Sequence, residues 1–442
     1  MTVENQQKAP TESKGFSHAW RALRHRNFRL FVSGQVVSMI GTWMTRIALA
    51  WLVYRLTKSP WMLGSIGFAN QIPSFLLAPV AGVVVDRMDR RRLLTLAQAL
   101  LMVHSLTLAA LTLSHHITIP LLFVLSTFQG IVNALEMPTR QSFTVQMVGN
   151  QRLDLSNAIA INSSMMNSTR LIGPALAGML ISATSEGWCF LVDGVSFIAV
   201  IASLLMMRMS PAEAVPAKAG VLTQMREGWN YVSNSFPIRS MLMLFAVTCF
   251  IGWPFTILMP IFAAQVLHGG PHTLGFLMGA LGIGAFISAV GLILRRSVRG
   301  LLSHIPQAAL LFGVGLILFG FSHWFWLSFF LLLLCGYGML RGNNATNTIM
   351  QTIVDEDMRG RVMSYYTMGL EGLAPWGSLL AGAMARSVGA THAVMISGSI
   401  VILAALWFWL RLPSIRTAIR PIYEELGIRP KEILIEEPEL QN

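Results

Sequence analysis

Residues 82–92 read Gly82-Val83-Val84-Val85-Asp86-Arg87-Met88-Asp89-Arg90-Arg91-Arg92. An apolar run from 61 to 85 leads into this stretch and a second, 93–113, follows it. Each is long enough to cross a bilayer as a helix, which takes about 20 apolar residues. Two acids and four arginines between two such runs form a short turn outside the hydrocarbon, and the basic excess reads as the cytoplasmic face. Gly82, one helical turn before Asp86, lets another helix approach closely. Asp86, at the membrane edge, can meet a cation or a helix N-terminus from another part of the chain. The plainer reading is a basic stop of the kind any inner-membrane loop carries.

The same alternation fills the chain. Of 442 residues, 54% are hydrophobic and 12% charged, at a mean hydropathy of +0.59. A soluble globular protein carries roughly 25% charged residues, so these figures exclude a cytosolic enzyme, a nucleic-acid-binding protein and a secreted disulfide scaffold. Twelve apolar runs follow in order: 28–54, 61–85, 93–113, 119–139, 158–182, 188–208, 240–266, 273–294, 303–322, 324–345, 363–386 and 391–411. None has the short alternating pattern of a membrane β-barrel. The expected fold is all-α and polytopic, with twelve transmembrane helices. Cys189, Cys249 and Cys335 are scattered inside apolar runs and build neither a disulfide framework nor a zinc site. His115, His116, His268 and His272 fall in outer loops, where surface exposure is the default. No P-loop and no nucleophile–base constellation occurs. The expectation is therefore no enzyme, no catalytic or metal site and no cofactor.

The charge has a direction. With the N-terminus inside, cytoplasmic segments hold 26 of the 32 Lys and Arg, outer loops hold Arg55, Lys58 and Arg386, and Arg46, Arg170 and Arg341 fall within spans. This bias sets orientation. It predicts a multi-pass protein of a bacterial inner membrane with both termini cytoplasmic. The net charge of +12 is then a topology signal and implies no nucleic-acid partner. The expected organisation is a tail at 1–27, a six-helix bundle at 28–208, a cytoplasmic linker at 209–237 with an amphipathic stretch Met225 to Val232, a second bundle at 238–411 and a tail at 412–442. A monomer is expected, with the lipid bilayer and a small molecule as partners.

The two halves repeat. At an offset of 211, Gly41 matches Gly252, Leu56 matches Leu267, Pro60 matches Pro271 and Gly64 matches Gly275. Further along, at 201, Arg170-Leu-Ile-Gly-Pro174 stands against Glu371-Gly-Leu-Ala-Pro375. Two bundles related along the membrane normal are what a rocking transporter requires, with the site near the midplane between them.

The 82–92 stretch resembles the loop 2–3 signature of the major facilitator superfamily, G-x-x-x-D-R-x-G-R-R, with Asp89 where that family has Gly. Leu23 to Phe31, Gly41 to Met44, Leu155 to Ala158, Arg170 to Pro174 and Arg359 to Ser364 are similar to the branch of enterobactin-exporter-like permeases. The resemblance implies two pseudo-symmetric six-helix bundles and a gating group of Gly82, Asp86, Arg87, Arg90, Arg91, Glu136 and Arg140. In it Asp86 latches the bundles, and Arg90 or Arg91 anchors to Glu136. The second-half counterpart, Gly291-Leu-Ile-Leu-Arg295-Arg296, has no acid, so the latch is one-sided. Gly173-Pro174 with Gly178 is similar to the antiporter motif of helix 5, and Pro174 and Pro375 are expected to bend their helices. An ordinary membrane-helix kink is the other reading. Many proton-coupled drug exporters of the superfamily carry an Arg three residues before a Gln-Gly pair in helix 4. Here Ser126 precedes Gln129-Gly130, which speaks against proton coupling by that device.

Ionisable groups inside spans cost several kcal/mol unless paired or solvated, so each is a functional candidate. Arg46 shares a helical face with Gln35, Ser38 and Thr42, and a polar stripe at that spacing faces protein or water. Arg170 shares one with Ser163, Asn167 and Pro174. Both arginines either line the cavity or pair with a neighbouring helix. Asn70 and Gln71 interrupt helix 2 and either line the cavity or pair between helices. Trp43, Trp253 and Trp376 are candidate aromatic walls. Glu371, opposite in charge to its counterpart Arg170, and Asp193 are candidate proton carriers, because a desolvated carboxyl can cycle; structural pairing is the alternative for each. Arg341 is close enough to the cytoplasm to snorkel. The expected function is secondary active transport: export of a small amphipathic or anionic molecule (siderophore, metabolite or drug) by alternating access, with protons as a coupling ion to test. A lipid or lysophospholipid flippase of the same fold, or an uptake permease, is the alternative.

Overall fold

The computed structural model describes residues 21–148, 152–208, 221–295 and 298–428; the expected tails outside 21–27 and 412–428, residues 209–220 of the expected 209–237 linker and the side chain of Asp86 lie outside the described residues. Among the described residues there is no strand. A short turn, Arg21–Arg24, precedes α1 (Arg26–Thr57), α2 (Pro60–Arg87), α3 (Arg90–Leu113), α4 (Ile119–Val148), α5 (Arg152–Ala183) and α6 (Glu186–Met206). Helix α7 (Val221–Asn234) occupies the amphipathic stretch. The second set runs through α8 (Phe236–Val247), α9 (Met259–Ile261), α10 (Pro271–Ile293), α11 (Leu301–Phe321), α12 (Phe325–Ile353), α13 (Glu356–Thr367), α14 (Ala374–Val388) and α15 (Ala390–Glu425). Nine helices among the described residues are long and apolar enough to cross a membrane, the path Phe236–Val266 among them. With α2, α5 and the α13–α14 pair they form two sets of six spans.

Two spans of the second set are broken where the sequence removes backbone donors. Between α8 and α9 the chain passes through a π-turn at Thr248–Gly252 and a 3₁₀ turn at Trp253–Leu258 that carries Pro254. Between α13 and α14 a π-turn covers Met368–Gly372, just before Pro375. Single π-turns often mark functional positions in helices. Pro174, the first-half counterpart of Pro375, instead sits inside the continuous helix α5. The 82–92 turn also gains a local explanation. Asp89 is the N-cap of α3, in extended backbone, and its side chain accepts from Arg92 N at 2.8 Å. Its φ of −61° requires no glycine, so the departure from the family pattern trades flexibility for a cap.

Within the first set α1 packs on α5 and α6, α3 on α4 and α6, and α2 on α4. Within the second, α10 and α11 pack on α12, and α15 packs on α8 and α11. The sets meet along two seams, α5 against α10 and α2 against α14. In lipid no hydrophobic effect draws helices together, and close packing at small residues takes over. Both seams show this. A Cβ on Gly64 would stand 3.0 Å from the Cα of Gly382, and one on Gly178 2.9 Å from the Cα of Gly275. Gln71 Nε2 donates to Ser378 Oγ at 3.2 Å, and His272 N to Ser182 Oγ at 3.1 Å, across the same seams. At the opposite ends of α2 and α13 a Cβ on Gly82 or Gly360 would have no heavy atom within 4 Å. The two sets therefore touch at the end away from the chain termini and splay at the end that bears them.

Helix α7 is pinned to α13. Glu227 pairs with Arg361 at 2.9 Å, the Tyr365 hydroxyl donates to Met225 O at 2.8 Å, and the Tyr231 hydroxyl donates to Asp355 Oδ2 at 3.0 Å. Burial, with the Asp355 carboxylate beside it, pushes the Tyr231 hydroxyl above its ordinary range.

Candidate functional site

The deepest charges gather on one indole. Trp43 of α1 lies against α5 because position 173 is glycine: a Cβ there would stand 2.4 Å from Trp43 Cβ. The ring carries two guanidinium carbons, Arg46 at 4.6 Å and Arg170 at 5.7 Å from its centroid. Arg46 is exposed and Arg170 half-buried. Ion pairs among the described residues form elsewhere, and none engages Arg46 or Arg170. Of the two readings open to these arginines, the pairing with a neighbouring helix is not made. A cation over an indole gains roughly 0.5–2 kcal/mol, which orients the guanidinium without neutralising it. The cluster sits at a seam: a Cβ on Gly282 of α10 would stand 3.0 Å from Arg170 O.

Across the other seam, the π-turn presents Glu371, exposed and without an ion-pair partner among the described residues. Trp376, 48% exposed, meets Phe68 of α2 edge-on at 5.2 Å. Gln71 spans this seam through Ser378. The seams thus bring Arg46, Arg170, Gln71, Glu371 and Trp376 to the boundary of the two sets.

Other expected site residues lie elsewhere. Gln35 is buried, as is Ser38, and Gln35 Oε1 has no partner among the described residues; Thr42 is half-buried and Arg46 exposed, so the polar stripe of α1 opens toward Arg46. Asn70 donates to Gln129 Oε1 at 2.7 Å, joining α2 to α4 inside the first set. Asn167 donates to Ser163 O of its own helix at 2.9 Å. Trp253 lines a narrow pocket between α8, α11 and α12 with Thr248, Asn343 and Thr346, and its Nε1 has no partner. Asp193 is 1% exposed within the α1–α3–α6 core. Thr45 and Ser105 hydroxyls each donate to its Oδ2 at 2.8 Å, and Thr42 lies 3.5 Å from Oδ1. Of the residues expected to gate, Glu136 and Arg140 share a small network. Glu136 accepts from Gln98 at 3.1 Å and lies 3.5 Å from Arg140. Arg91 does not reach Glu136. It donates to the Leu204 and Leu205 carbonyls at 2.7 and 2.8 Å, at the C-terminal end of helix α6. Arg87 is exposed and Arg90 half-buried.

Sequence reasoning missed His104. It is 2% exposed and stacks on Phe128 at 6.2 Å. A lone histidine in an apolar run carries no pattern that would single it out.

The sequence pattern of the transmembrane secretion effector family, within the major facilitator superfamily, matches residues 17–425. The chain belongs to this family. It is 24% identical to a staphyloferrin A transporter of Staphylococcus aureus, over 86% of this chain and 95% of that one. It is equally 24% identical to the multidrug efflux pump Tap of Mycolicibacterium fortuitum, over 82% of this chain and 90% of that one. Among solved structures, a POT family transporter in complex with 5-aminolevulinic acid superposes with a TM-score of 0.72 at 11% identity, covering 88% of this chain and 96% of its own. That likeness is one of fold. This transmembrane secretion effector homologue is a membrane transporter of the major facilitator type, acting on small molecules.

Proposed function

We propose that the chain exports a small amphipathic molecule bearing an anionic group, by alternating access between its two six-helix sets. The observation that carries this is the pair Arg46 and Arg170 over Trp43, without a carboxylate partner, at the seam. Two cations on one ring, neither paired with a carboxylate among the described residues, leave a site that an anion completes, and the indole and Trp376 offer apolar faces to the rest of a ligand. Export is favoured by the similarity to efflux pumps, and the similarity to a staphyloferrin A transporter is consistent with an anionic cargo. The basic excess on one side supports cytoplasmic termini and an inner-membrane location, and the splayed end then faces the cytoplasm, where cargo for export is loaded. Glu371 is the carboxyl placed to cycle a proton, being exposed at the seam. Asp193 is enclosed by hydroxyls and suits a structural role better. Gly82, Asp86, Arg87, Arg90, Arg91, Glu136 and Arg140 would act on the splayed end when it closes.

Everted vesicles carrying the protein, with and without a proton gradient, test this reading against a panel of anionic, neutral and cationic amphiphiles. Anions should accumulate preferentially. Arg46→Gln and Arg170→Gln should each weaken anion binding about tenfold or more, since one lost charge-assisted contact is worth about 1.5–3 kcal/mol. Undiminished anion binding by purified Arg46→Gln/Arg170→Gln protein would refute it.

A further inference from the structure

Where α1 begins and α6 ends, the protein leaves an open cleft of about 380 Å³, lined by His25, Arg26, Asn27, Met147 and Arg208. We infer that this cleft binds the phosphate of an anionic phospholipid headgroup. The inference is independent of what the protein transports.

The cleft is built to present cations. Asn27 clamps the backbone of Arg208 from both sides, donating from Nδ2 to Arg208 O at 2.8 Å and accepting from Arg208 N at 3.3 Å. The Arg208 guanidinium makes no hydrogen bond or ion pair among the described residues and is exposed. Arg26 uses one donor on Met206 O at 3.3 Å, and a guanidinium has five. The acid beside the cleft is already committed: Asp154 accepts from His25 at 3.0 Å and pairs with Arg21 at 2.7 Å. The His25 hydrogen bond, with the charge of Arg21, holds its carboxyl below the usual carboxylate range. Asp154 therefore stays ionised, fixes the wall, and leaves Arg26 and Arg208 without a counter-charge.

Depth and polarity select a lipid. The apolar runs of α1 and α6 stop at this point, where the headgroup layer meets a spanning helix. The floor is apolar: Met147 packs with Phe28, Val148 and Met207 in one buried cluster, a surface suited to the glycerol and first acyl carbons. Basic residues just beyond a span attract anionic lipid by about 1 kcal/mol each, and Arg24 and Arg29 stand exposed on the same segment. A site for free phosphate would have no use for an open, greasy floor.

The test uses full-length protein in phosphatidylcholine nanodiscs, titrated with short-chain phosphatidylglycerol or with inorganic phosphate, and followed by native mass spectrometry of retained lipid. Wild type should retain phosphatidylglycerol over phosphatidylcholine and bind inorganic phosphate weakly. Arg26→Gln/Arg208→Gln should lower the affinity for phosphatidylglycerol about 10- to 30-fold, Arg26→Lys/Arg208→Lys should recover part of it, and all should melt alike in pure phosphatidylcholine. Arg416→Gln, the loss of one charge at an exposed position of α15, should cost at most a fewfold. Unchanged phosphatidylglycerol retention in the double glutamine variant, or an equal loss in Arg416→Gln, would overturn the site. Tighter binding of inorganic phosphate than of phosphatidylglycerol would overturn the lipid assignment.

Discussion

Gly178 offers a direct measure of how firmly the non-terminal end is closed. A Cβ there would stand 2.7 Å from Pro271 O, 2.9 Å from Gly275 Cα and 3.1 Å from His272 Cα. All three are backbone atoms, and none can turn aside. Ordinary contact begins near 3.4 Å, so Gly178→Ala must part α5 and α10 by up to about 0.7 Å. Overpacking of this kind costs typically 1–3 kcal/mol. The gain in helix propensity, about 1 kcal/mol, is the same in every conformation and cancels from the balance between them. In a conformation where this end has opened the clash is gone, so the full cost appears as a population shift of about 5- to 150-fold. Spin labels at Thr184→Cys and His268→Cys, both exposed at the non-terminal end, read the opening by pulsed dipolar spectroscopy. Gly178→Ala should enlarge the long-distance population. Gly82→Ala, whose Cβ meets nothing within 4 Å here, should leave it unchanged or reduce it. The reasoning fails if Gly178→Ala leaves the distances as they are, or if Gly82→Ala moves them equally far in the same direction.

Three further outcomes follow from named contacts. Asp89→Ala removes the cap of α3 and should lower stability by about 1 kcal/mol, while Asp89→Gly should cost only a few tenths; thermal melting in detergent separates the two. Asp193→Leu leaves the Thr45 and Ser105 hydroxyls buried without their acceptor and should destabilise by about 1–3 kcal/mol; Asp193→Asn, which keeps an acceptor, should lose less, and equal melting of the two would contradict the hydroxyl clamp. Because the folded carboxyl of Asp154 is held below its ordinary range, its contribution is present above the unfolded value and is lost as pH falls through the folded one. Hydrogen exchange at residues 21–25 should stay slow through mild acid and quicken only below the ordinary aspartate range. In Asp154→Asn it should be fast at every pH.

The hydropathy of the chain announces its spans because membrane helices satisfy their own backbone and must be apolar outside. The limits of hydropathy show at helix ends. Helix α4 continues to Val148 and α12 to Ile353, beyond the apolar runs that end at 139 and 345, since helix propensity and packing carry a helix past its greasy part. The seams were half legible. The repeat already pairs Gly64 with Gly275, yet Gly64 meets Gly382 and Gly275 meets Gly178, partners that only the three-dimensional crossing supplies. Intramembrane charge picked out Arg46 and Arg170 as positions needing explanation. It could not choose between pairing and exposure, which depends on where the acids of other helices fall. The same blindness placed Gln35 beside Arg46 on a helical wheel, although the packing of α1 buries one and exposes the other. Asp193 looked like a free intramembrane acid because its three hydroxyl neighbours come from α1 and α3, far away in sequence.

Helix α5 joins these features into one argument about coupling. It carries Arg170 at the site and Gly178 at the closed crossing, eight residues and about 12 Å apart along one continuous helix. The α13–α14 span carries Glu371 and Gly382 in the same order, with a π-turn under the acid. In the proposed cycle, a ligand shifts the balance between conformations only by the difference in its interaction with each. An anion bridging Arg46 and Arg170 stiffens the α1–α5 pair and leaves the α5–α10 crossing intact. Contact with Glu371 or Trp376 would instead tie α14 to the same ligand and load both seams at once. The second seam, with its broken helix, is therefore the one that yields first, and the π-turn at Met368–Gly372 is where that motion should be absorbed.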